Sequence, residues 1–193
     1  MTKPLGVILA GGLATRMGGG DKGLLPLGGS TILDHVIARL GPQVAGLALN
    51  ANGDPARFAR LGLPVVADSI AGFAGPLSGV LAGLDWAANQ GAEHIVTAAA
   101  DTPFFPADLV AHLTEAGGAT GLALARTPNG RHPTFGLWPV ALRDDLRAAL
   151  NDGLRKVVLW TDQHGAGTAH FPDDNAFFNV NTPDDLAKAE AML

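Results

Sequence analysis

The stretch from Leu9 to Lys22 contains the residues of this chain best suited to bind a phosphorylated ligand. It combines five glycines, one arginine and one lysine in fourteen residues, and it continues the apolar run Gly6–Leu9, which predicts a buried strand. Glycine lets backbone amides approach a ligand without a Cβ in the way. Amides that converge beside the cations Arg16 and Lys22 would form a cradle for a polyphosphate. The stretch therefore indicates a nucleotide ligand.

Two common phosphate-binding loops do not fit this spacing. In a P-loop the lysine is followed by Ser or Thr, whereas Lys22 is followed by Gly23. Gly18, Gly20 and Gly23 satisfy the dinucleotide pattern Gly-x-Gly-x-x-Gly, but that pattern should follow its strand directly, and several residues intervene here. On spacing alone, an ordinary glycine-rich surface loop remains the alternative.

Short apolar runs alternate along the chain with helical patterns, which indicates an α/β fold with a mainly parallel central sheet flanked by helices. We predict strands at Gly6–Leu9, Gly46–Leu49, Val65–Ala67, Ile95–Ala99, Gly121–Ala125, Thr134–Trp138 and Thr168–Phe171. Helices are predicted at Ile32–Leu40, from Pro76 onward, at Pro106–Glu115, at Val140–Leu150 and after the N-cap Thr182. Lys156–Thr161 is ambiguous because its core has strand propensity. No linker divides the chain, so we expect one domain over residues 1–193.

Polar or glycine residues follow four of these predicted strands. Gly11 follows the first, Asn50 the second, Asp68 the third and Asp101 the fourth. Because ligands collect at the carboxyl ends of the strands in an open α/β sheet, we expect these residues to converge on one cleft. A carboxylate after an apolar strand is costly unless it is solvated, paired or bound to a metal, which makes Asp101 a candidate Mg²⁺ ligand. Turn formation remains the alternative for both aspartates.

The composition excludes several classes of function. The 193 residues include no cysteine, which excludes disulfides, cysteine–zinc sites and thiol nucleophiles. The net charge of −5 and the lack of a basic cluster argue against nucleic-acid binding. The N-terminus does not resemble a signal peptide, and no apolar run approaches the roughly 18 residues of a membrane span. We therefore expect a soluble cytoplasmic protein with no membrane partner.

A series of short motifs extends over nearly the whole chain. They are Leu-Ala-Gly-Gly, Arg-Met-Gly and Asp-Lys-x-Leu-Leu between Leu9 and Leu25, then Asn50-Ala51-Asn52, Asp68 with Gly75-Pro76-Leu77-Ser78-Gly79, Asp101-Thr102-Pro103, His132-Pro133-Thr134, and Phe178 to Pro183. Together they resemble the molybdenum cofactor guanylyltransferases, the MobA family. The resemblance implies a Rossmann-like domain of the nucleotidyltransferase type and a helix at Lys156–Thr161. Ala98 to Ala100 depart from the Pro-Cys that relatives often carry before the aspartate.

The resemblance also implies roles for individual residues. The residues expected to bind the nucleotide are Leu9, Ala10, Gly11, Lys22, Asn50, Asp68 and Asp101. Asp101 is also the expected Mg²⁺ ligand. The expected catalytic residues are Lys22 and Asp101 together with Arg16, which is assigned from its charge beside the glycines and not from the resemblance. The residues expected near the acceptor substrate are Asn179, Asn181, Arg131 and His132. From the residues alone, the asparagines are equally well explained as turn residues, and His132 as a structural histidine.

The implied reaction transfers GMP from GTP to the terminal phosphate of molybdopterin bearing molybdenum, which gives the guanine dinucleotide cofactor and pyrophosphate. The implied partners are GTP, molybdopterin and the molybdoenzymes or their chaperones that receive the product. The first motif, Leu-Ala-Gly-Gly, resembles the guanylyl branch, whereas cytidylyl relatives resemble Leu-Ala-Ala-Gly. Two alternatives remain: a cytidylyl- or sugar-nucleotide transferase on the same scaffold, and a non-catalytic GTP-binding module that delivers the cofactor.

Overall fold

A computed structural model describes residues 2–11, 21–70, 72, 75–154 and 156–193. In these ranges the strands are β1 (Leu5–Leu9), β2 (Pro26–Leu27), β3 (Ser30–Thr31), β4 (Leu47–Asn50), β5 (Val65–Val66), β6 (His94–Ala99), β7 (Ala123–Thr127), β8 (Gly130–Pro139) and β9 (Gly167–His170). The α-helices are α1 (Ile32–Leu40), α2 (Pro76–Asn89), α3 (Leu109–Gly117), α4 (Arg143–Asn151), α5 (Val157–Gln163) and α6 (Pro183–Ala191). Strands and helices alternate, as the sequence predicts.

Seven of the described strands form one sheet in the order β5-β4-β1-β6-β8-β7-β9, and β2 pairs with β3 in a small separate hairpin. β1 is parallel to both β4 and β6, β4 is parallel to β5, and β7 is parallel to β9. Among the described strands of this sheet, β8 alone runs in the opposite direction, because it is antiparallel to both β6 and β7. The predicted α/β fold with a mainly parallel sheet is confirmed.

The reversed direction of β8 follows from its short connection to β7. Only Pro128 and Asn129 separate the two strands, and a parallel pair needs a crossover of a dozen or more residues. The alternation of apolar runs predicts the strands but not this hairpin. As a result β8 enters the sheet beside β6, where Thr134 lies close to the carboxyl end of the parallel strands.

Different helices cover the two faces of the sheet. Ile8 of β1 belongs to a core cluster shared with α1 and α3, while its neighbour Val7 belongs to a cluster shared with α2, α4 and α5. Successive side chains of a strand point to opposite faces, so the two clusters lie on opposite sides of the sheet. A third, smaller cluster packs Val180 and α6 against Leu27 of the β2–β3 hairpin. Within the described ranges, no helix combines the length and the apolarity needed to cross a lipid bilayer.

Several predicted boundaries shift in the structure for local reasons. β7 begins at Ala123, two residues later than predicted, because Gly121 has a φ of +64° and bonds back to Gly117. The predicted helix Pro106–Glu115 begins at Leu109, after a turn in which Leu109 N donates to the carbonyl of Pro106. The predicted helix Val140–Leu150 begins as a 3₁₀ turn and becomes α4 at Arg143.

Three helices agree closely with the sequence. α1 has the predicted bounds Ile32–Leu40, and its N-cap Thr31 forms a capping box with Asp34. The N-cap Thr182 forms the same arrangement with Asp185 at the start of α6. The ambiguous segment Lys156–Thr161 lies at α5. The helix that the resemblance implies is therefore confirmed, although the residues themselves have strand propensity.

Candidate active site

A cavity of about 470 Å³ opens at the carboxyl ends of β1, β4 and β6, beside the N-terminus of α2. The described residues that line it include Leu9, Ala10, Gly11, Asp21, Lys22, Gly23, Asn50, Asn52, Asp68, Gly75, Pro76, Ser78, Ala99, Ala100, Asp101 and Thr134. Parallel strands bring residues from distant parts of the chain to this edge of the sheet. The predicted convergence of strand ends on one cleft is therefore present.

One side of the cavity, here called the polar wall, consists of Asn50, Asn52, Asp68 and Ser78. The Asp68 carboxylate accepts a hydrogen bond from Asn50 Nδ2 at 3.0 Å and another from Asn52 Nδ2 at 2.9 Å. Asn52 Oδ1 in turn accepts from the backbone N–H of Asp68 at 2.9 Å, so this asparagine bonds both the backbone and the side chain of Asp68. The Ser78 hydroxyl lies 3.3 Å from the same carboxylate. These bonds fix the Asp68 side chain before any ligand binds.

Close packing of α2 on the sheet contributes to the polar wall. A Cβ on Gly79 would overlap the side-chain oxygen of Asn50, so only glycine fits at this position with the observed amide orientation. The other side-chain atom of this amide, Asn50 Nδ2, also donates to the carbonyl of Val66 at 3.1 Å. Asn50 is buried, and its hydrogen bonds tie β4 to the segment that carries Asp68. Burial and hydrogen bonding together make this asparagine a fixed part of the wall.

The other side of the cavity, here called the charged wall, consists of Lys22 and Asp101, and Asn181 lies behind it as a partner of Lys22. Lys22 Nζ donates to Asn181 Oδ1 at 2.7 Å and lies 3.8 Å from Asp101 Oδ2. Both charged side chains retain about a quarter of their exposure, at 22% and 24%. Burial raises the pKa of the Asp101 carboxyl above its ordinary value, while nearby Lys22 acts in the opposite direction. Among the residues that the structure describes, the neighbours of the ionised carboxylate therefore compensate it only in part.

The segment after the 3₁₀ helix Asp174–Phe177 brings two predicted acceptor residues close to the charged wall. The buried Val180 donates its N–H to the carbonyl of Asp101 at 2.8 Å. Asn179 and Asn181 flank this anchor, so Asn181 reaches Lys22 while Asn179 Oδ1 accepts from the Thr102 hydroxyl at 2.5 Å. The structure thus places both asparagines beside Asp101.

The predicted residues of the first motif lie at the floor of the cavity where the structure describes them. Ala10 N donates to the carbonyl of Asn50, and the carbonyl of Leu9 accepts from Ala100 N. Leu9, Ala10 and Gly11 therefore lie between the two walls. Arg16, a predicted phosphate cation, lies outside the described residues.

Arg131 and His132 are not brought to the cavity by the described structure. Arg131 Nη1 donates to Asp162 in α5 at 2.7 Å. The His132 ring stacks on Phe177 with centroids 4.4 Å apart, and its Nε2 lies 2.9 Å from the hydroxyl of Thr127. Burial lowers the pKa of His132. These contacts fit the structural alternative for His132, and the cavity residue of this motif is Thr134 instead.

Sequence reasoning did not assign roles to several residues around the cavity. Asn52 and Ser78 occur in the quoted motifs, yet the bonds of Asn52 to Asp68 depend on the pairing of β4 with β5, and that of Ser78 depends on the approach of α2. Asp21 also lines the cavity, and its carboxylate is paired with Arg57. The period-two spacing of Asn50 and Asn52 was a usable signal, since both side chains reach Asp68. No sequence signal connects Arg57 with Asp21, which lies thirty-six residues earlier.

A model of the MobA-like NTP transferase domain matches residues 6–166 of the chain. The chain belongs to the MobA-like NTP transferase family. The match includes the β1, β4 and β6 ends of the cavity and stops before Asn179 and Asn181. The predicted membership of the MobA family is confirmed.

Individual relatives of this NTP transferase agree with the family match. It is 54% identical to a protein of Bradyrhizobium sp. (strain ORS 278) named molybdenum cofactor guanylyltransferase, with 97% of this chain and 92% of that protein covered. A protein of the same name from Cereibacter sphaeroides (strain ATCC 17023) is 55% identical, with 97% and 96% covered. The crystal structure of molybdopterin-guanine dinucleotide biosynthesis protein A from Archaeoglobus fulgidus has a TM-score of 0.73 at 23% identity, with 97% of each chain covered. That last likeness shows the shared fold.

Proposed function

We propose that this NTP transferase transfers GMP from GTP to the terminal phosphate of molybdopterin bearing molybdenum, with release of pyrophosphate. The observation that carries the proposal is the pairing of Lys22 with Asp101, 3.8 Å apart, at the mouth of a cavity whose opposite wall is neutral except for Asp68. The names of the relatives at 54% and 55% identity support guanine as the base and molybdopterin as the acceptor.

The two walls suggest how the nucleotide lies in the cavity. Phosphates carry negative charge, so the Lys22 ammonium of the charged wall attracts them. The Asp68 carboxylate has only neutral hydrogen-bond donors in the polar wall, and it would repel a phosphate. A carboxylate in this setting suits the hydroxyls or amide donors of a nucleoside. We therefore assign the nucleoside to the polar wall and the triphosphate to the charged wall.

The charged wall also suits a divalent metal. Asp101 presents an incompletely compensated carboxylate, and Mg²⁺ is commonly held by one or two carboxylates plus substrate phosphates. Within the described part of the chain no cluster of three or more His, Cys, Asp or Glu side chains could hold a metal without a ligand's help. We assign Mg²⁺ to Asp101 and the nucleotide phosphates together. When bound there, the ion would neutralise charge on the phosphate oxygens.

The proposed reaction requires the protein to position the two substrates, and it requires no protein nucleophile. A terminal phosphate oxygen of the acceptor attacks the α-phosphorus of GTP, a new P–O bond forms, and the bond from the α-phosphorus to the bridging oxygen breaks. The pyrophosphate leaves with the electron pair of that bond. Lys22 holds the phosphate oxygens as their charge redistributes, and Asn179 and Asn181 orient the acceptor from the adjoining segment.

The proposal is tested by incubating the full chain with GTP, Mg²⁺ and molybdopterin bearing molybdenum. We expect the guanine dinucleotide and pyrophosphate to appear together, and neither to appear when the acceptor is omitted. Turnover with CTP in place of GTP would identify the cytidylyl alternative. GTP binding with no pyrophosphate release in the complete mixture would identify the delivery module and overturn the proposal.

Three further assignments accompany this function. We propose that residues 1–193 act as one nucleotidyltransferase domain, since all three core clusters share the central sheet or its attached hairpin. We also propose that the protein works in the cytoplasm. Delivery of the product to molybdoenzymes or their chaperones is the third assignment, which co-purification with such an enzyme would test.

A further inference from the structure

An acidic side chain lies at the entrance of the proposed phosphate site. Asp21 directly precedes Lys22 in the chain and lines the same cavity, and 19% of its side chain is exposed. An uncompensated carboxylate at this place would oppose the binding of a triphosphate, because like charges repel strongly where solvent is partly excluded. The structure compensates it with a residue from another part of the fold.

That residue is Arg57, in the 3₁₀ helix Pro55–Leu61 that follows β4. Its Nε lies 2.6 Å from Asp21 Oδ2 and its Nη2 lies 3.3 Å from Asp21 Oδ1, which is a two-point contact between the guanidinium and the carboxylate. Such paired contacts fix direction as well as distance. Arg57 thus holds the charge of Asp21 in one orientation.

The same guanidinium also anchors the start of its own loop. Arg57 Nη2 donates to the carbonyl of Asn52 at 2.6 Å, and Nη1 donates to the carbonyl of Asp54 at 2.5 Å. The guanidinium carbon lies 4.4 Å from the centre of the Phe58 ring, so the ring supports it from one side. Arg57 is therefore joined on one side to the residue before Lys22 and on the other to Asn52 of the polar wall.

Arg60 provides an internal comparison. It lies in the same 3₁₀ helix and also makes a two-point contact with an aspartate, Asp34, at 3.1 Å for each bond. Asp34 belongs to the capping box of α1 and does not line the cavity. The two arginines therefore share chemistry and helix, and they differ in whether their partner lies beside the phosphate site.

We propose that Arg57 is a positioning residue for the nucleotide phosphates. It cancels the charge of Asp21 at the cavity and joins Asp21, the residue before Lys22, to Asn52 of the polar wall. The inference rests on the proposed binding of GTP in this cavity. Arg57 does not line the cavity, whereas its partner Asp21 does, so its effect would reach the ligand through Asp21. The charge effect should dominate, because Asp21 lines the cavity while Arg57 is absent from its lining.

The expected signature depends on the number of phosphates in the ligand. Arg57→Ala leaves the Asp21 carboxylate uncompensated, so we expect the KM for GTP to rise about tenfold with kcat changed less than about threefold. Affinity for guanosine, which has no phosphate, should change little in the same variant. Arg57→Lys should recover part of the loss, since an ammonium supplies the charge without the two-point contact.

The decisive comparison combines two substitutions. The double variant Arg57→Ala with Asp21→Asn should bind GTP within about threefold of the wild type, because the repelling charge has been removed. Asp21→Asn alone should bind GTP at least as tightly as the wild type. This single variant keeps the proposal testable even if Arg57→Ala does not fold. Arg60→Ala, with its folded fraction checked by thermal unfolding, is the matched control and should keep the wild-type KM.

The experiment measures pyrophosphate release with varied GTP at saturating acceptor and Mg²⁺, together with calorimetric binding of GTP and guanosine. A selective loss of GTP affinity in Arg57→Ala that Asp21→Asn restores would support the proposal. Equal losses for GTP and guanosine, a double variant no better than the single one, or an Asp21→Asn variant that binds GTP more weakly would each overturn it. Failure of the wild-type protein to bind GTP would instead overturn the proposed function.

Discussion

The two walls of the cavity differ in how fully the protein compensates their polar and charged side chains. In the polar wall, the Asp68 carboxylate accepts hydrogen bonds from Asn50 and Asn52, and these bonds hold its side chain in place without a ligand. In the charged wall, Lys22 and Asp101 are 3.8 Å apart, a distance too long for a hydrogen bond, and burial raises the pKa of the carboxyl. The protein itself supplies the hydrogen-bond partners of the polar wall. In the charged wall, part of the charge remains for a ligand to neutralise.

The polar wall can therefore select a ligand mainly by shape, and the charged wall mainly by charge. A fully bonded wall selects a ligand by its fit and costs little reorganisation when the ligand arrives. A wall with partly compensated charges stabilises the folded protein poorly, but it interacts strongly with a charged group that arrives with a metal ion. Substitutions in the two walls should therefore differ in their effects on turnover, on affinity and on stability.

The largest effect is expected in the charged wall. Asp101→Ala should abolish magnesium-dependent pyrophosphate release, with a loss of at least about a hundredfold, because the carboxylate proposed to hold the ion is gone. The variant should still fold. Asp108→Ala, which removes an exposed aspartate away from the cavity, is the matched control and should turn over like the wild type. Turnover near the wild-type rate in Asp101→Ala would remove the proposed role in metal binding.

The next effect separates the walls by the sign of the change in stability. Asp68→Ala removes the acceptor of two amide donors and should lower the free energy of unfolding by about 1–3 kcal/mol. Asp101→Asn should leave the melting temperature unchanged or raise it, because it removes a carboxylate whose ionised form is disfavoured by burial. Thermal unfolding without ligand measures both. A stabilised Asp68→Ala or a strongly destabilised Asp101→Asn would contradict the contrast between the walls.

The smallest effect concerns the loss of stability at acidic pH, and it involves His132, which belongs to neither wall. Burial lowers the pKa of His132 below its ordinary value of 6.5, despite the nearby charge of Asp174. The neutral ring is therefore favoured in the folded protein, so its contribution to stability is present above pH 6.5 and is lost as the pH falls through 6.5 toward the lower folded pKa.

His132→Gln should accordingly show a smaller loss of unfolding free energy between pH 7.5 and pH 5.5 than the wild type. A residual loss should remain, because burial also lowers the pKa of His94. Denaturant unfolding at the two pH values provides the comparison. An undiminished loss in His132→Gln would show that this ring does not determine the acid response.

The sequence predicts the charged wall better than the polar wall, for a physical reason. Lys22 and Asp101 each follow a recognisable local pattern, a glycine-rich stretch and the end of an apolar strand, and parallel pairing of β1 with β6 brings these patterns together. The bonds of Asn52 to Asp68 depend instead on the pairing of β4 with β5, and the bond of Ser78 to Asp68 depends on how closely α2 approaches the sheet. Local propensity carries no information about that distance.

The same reasoning explains the predictions that the structure does not support. Arg131 and His132 stand in a motif next to Thr134, and of these three described residues only Thr134 lines the cavity. Arg131 and His132 lie opposite β7 in the sheet, and their side chains contact Asp162 and Phe177. The direction of β8 follows from a two-residue hairpin. A motif shows which residues occur together, and the topology decides which of them reach the ligand.

The most direct test of the account is a crystal structure of the protein with GTP and Mg²⁺ in the absence of the acceptor. We expect the triphosphate within about 3 Å of Lys22 Nζ, the metal on the Asp101 carboxylate and the guanosine against Asp68. Phosphates bound against Asp68, or a nucleotide bound outside this cavity, would contradict the assignment of the nucleoside to the polar wall and of the triphosphate to the charged wall.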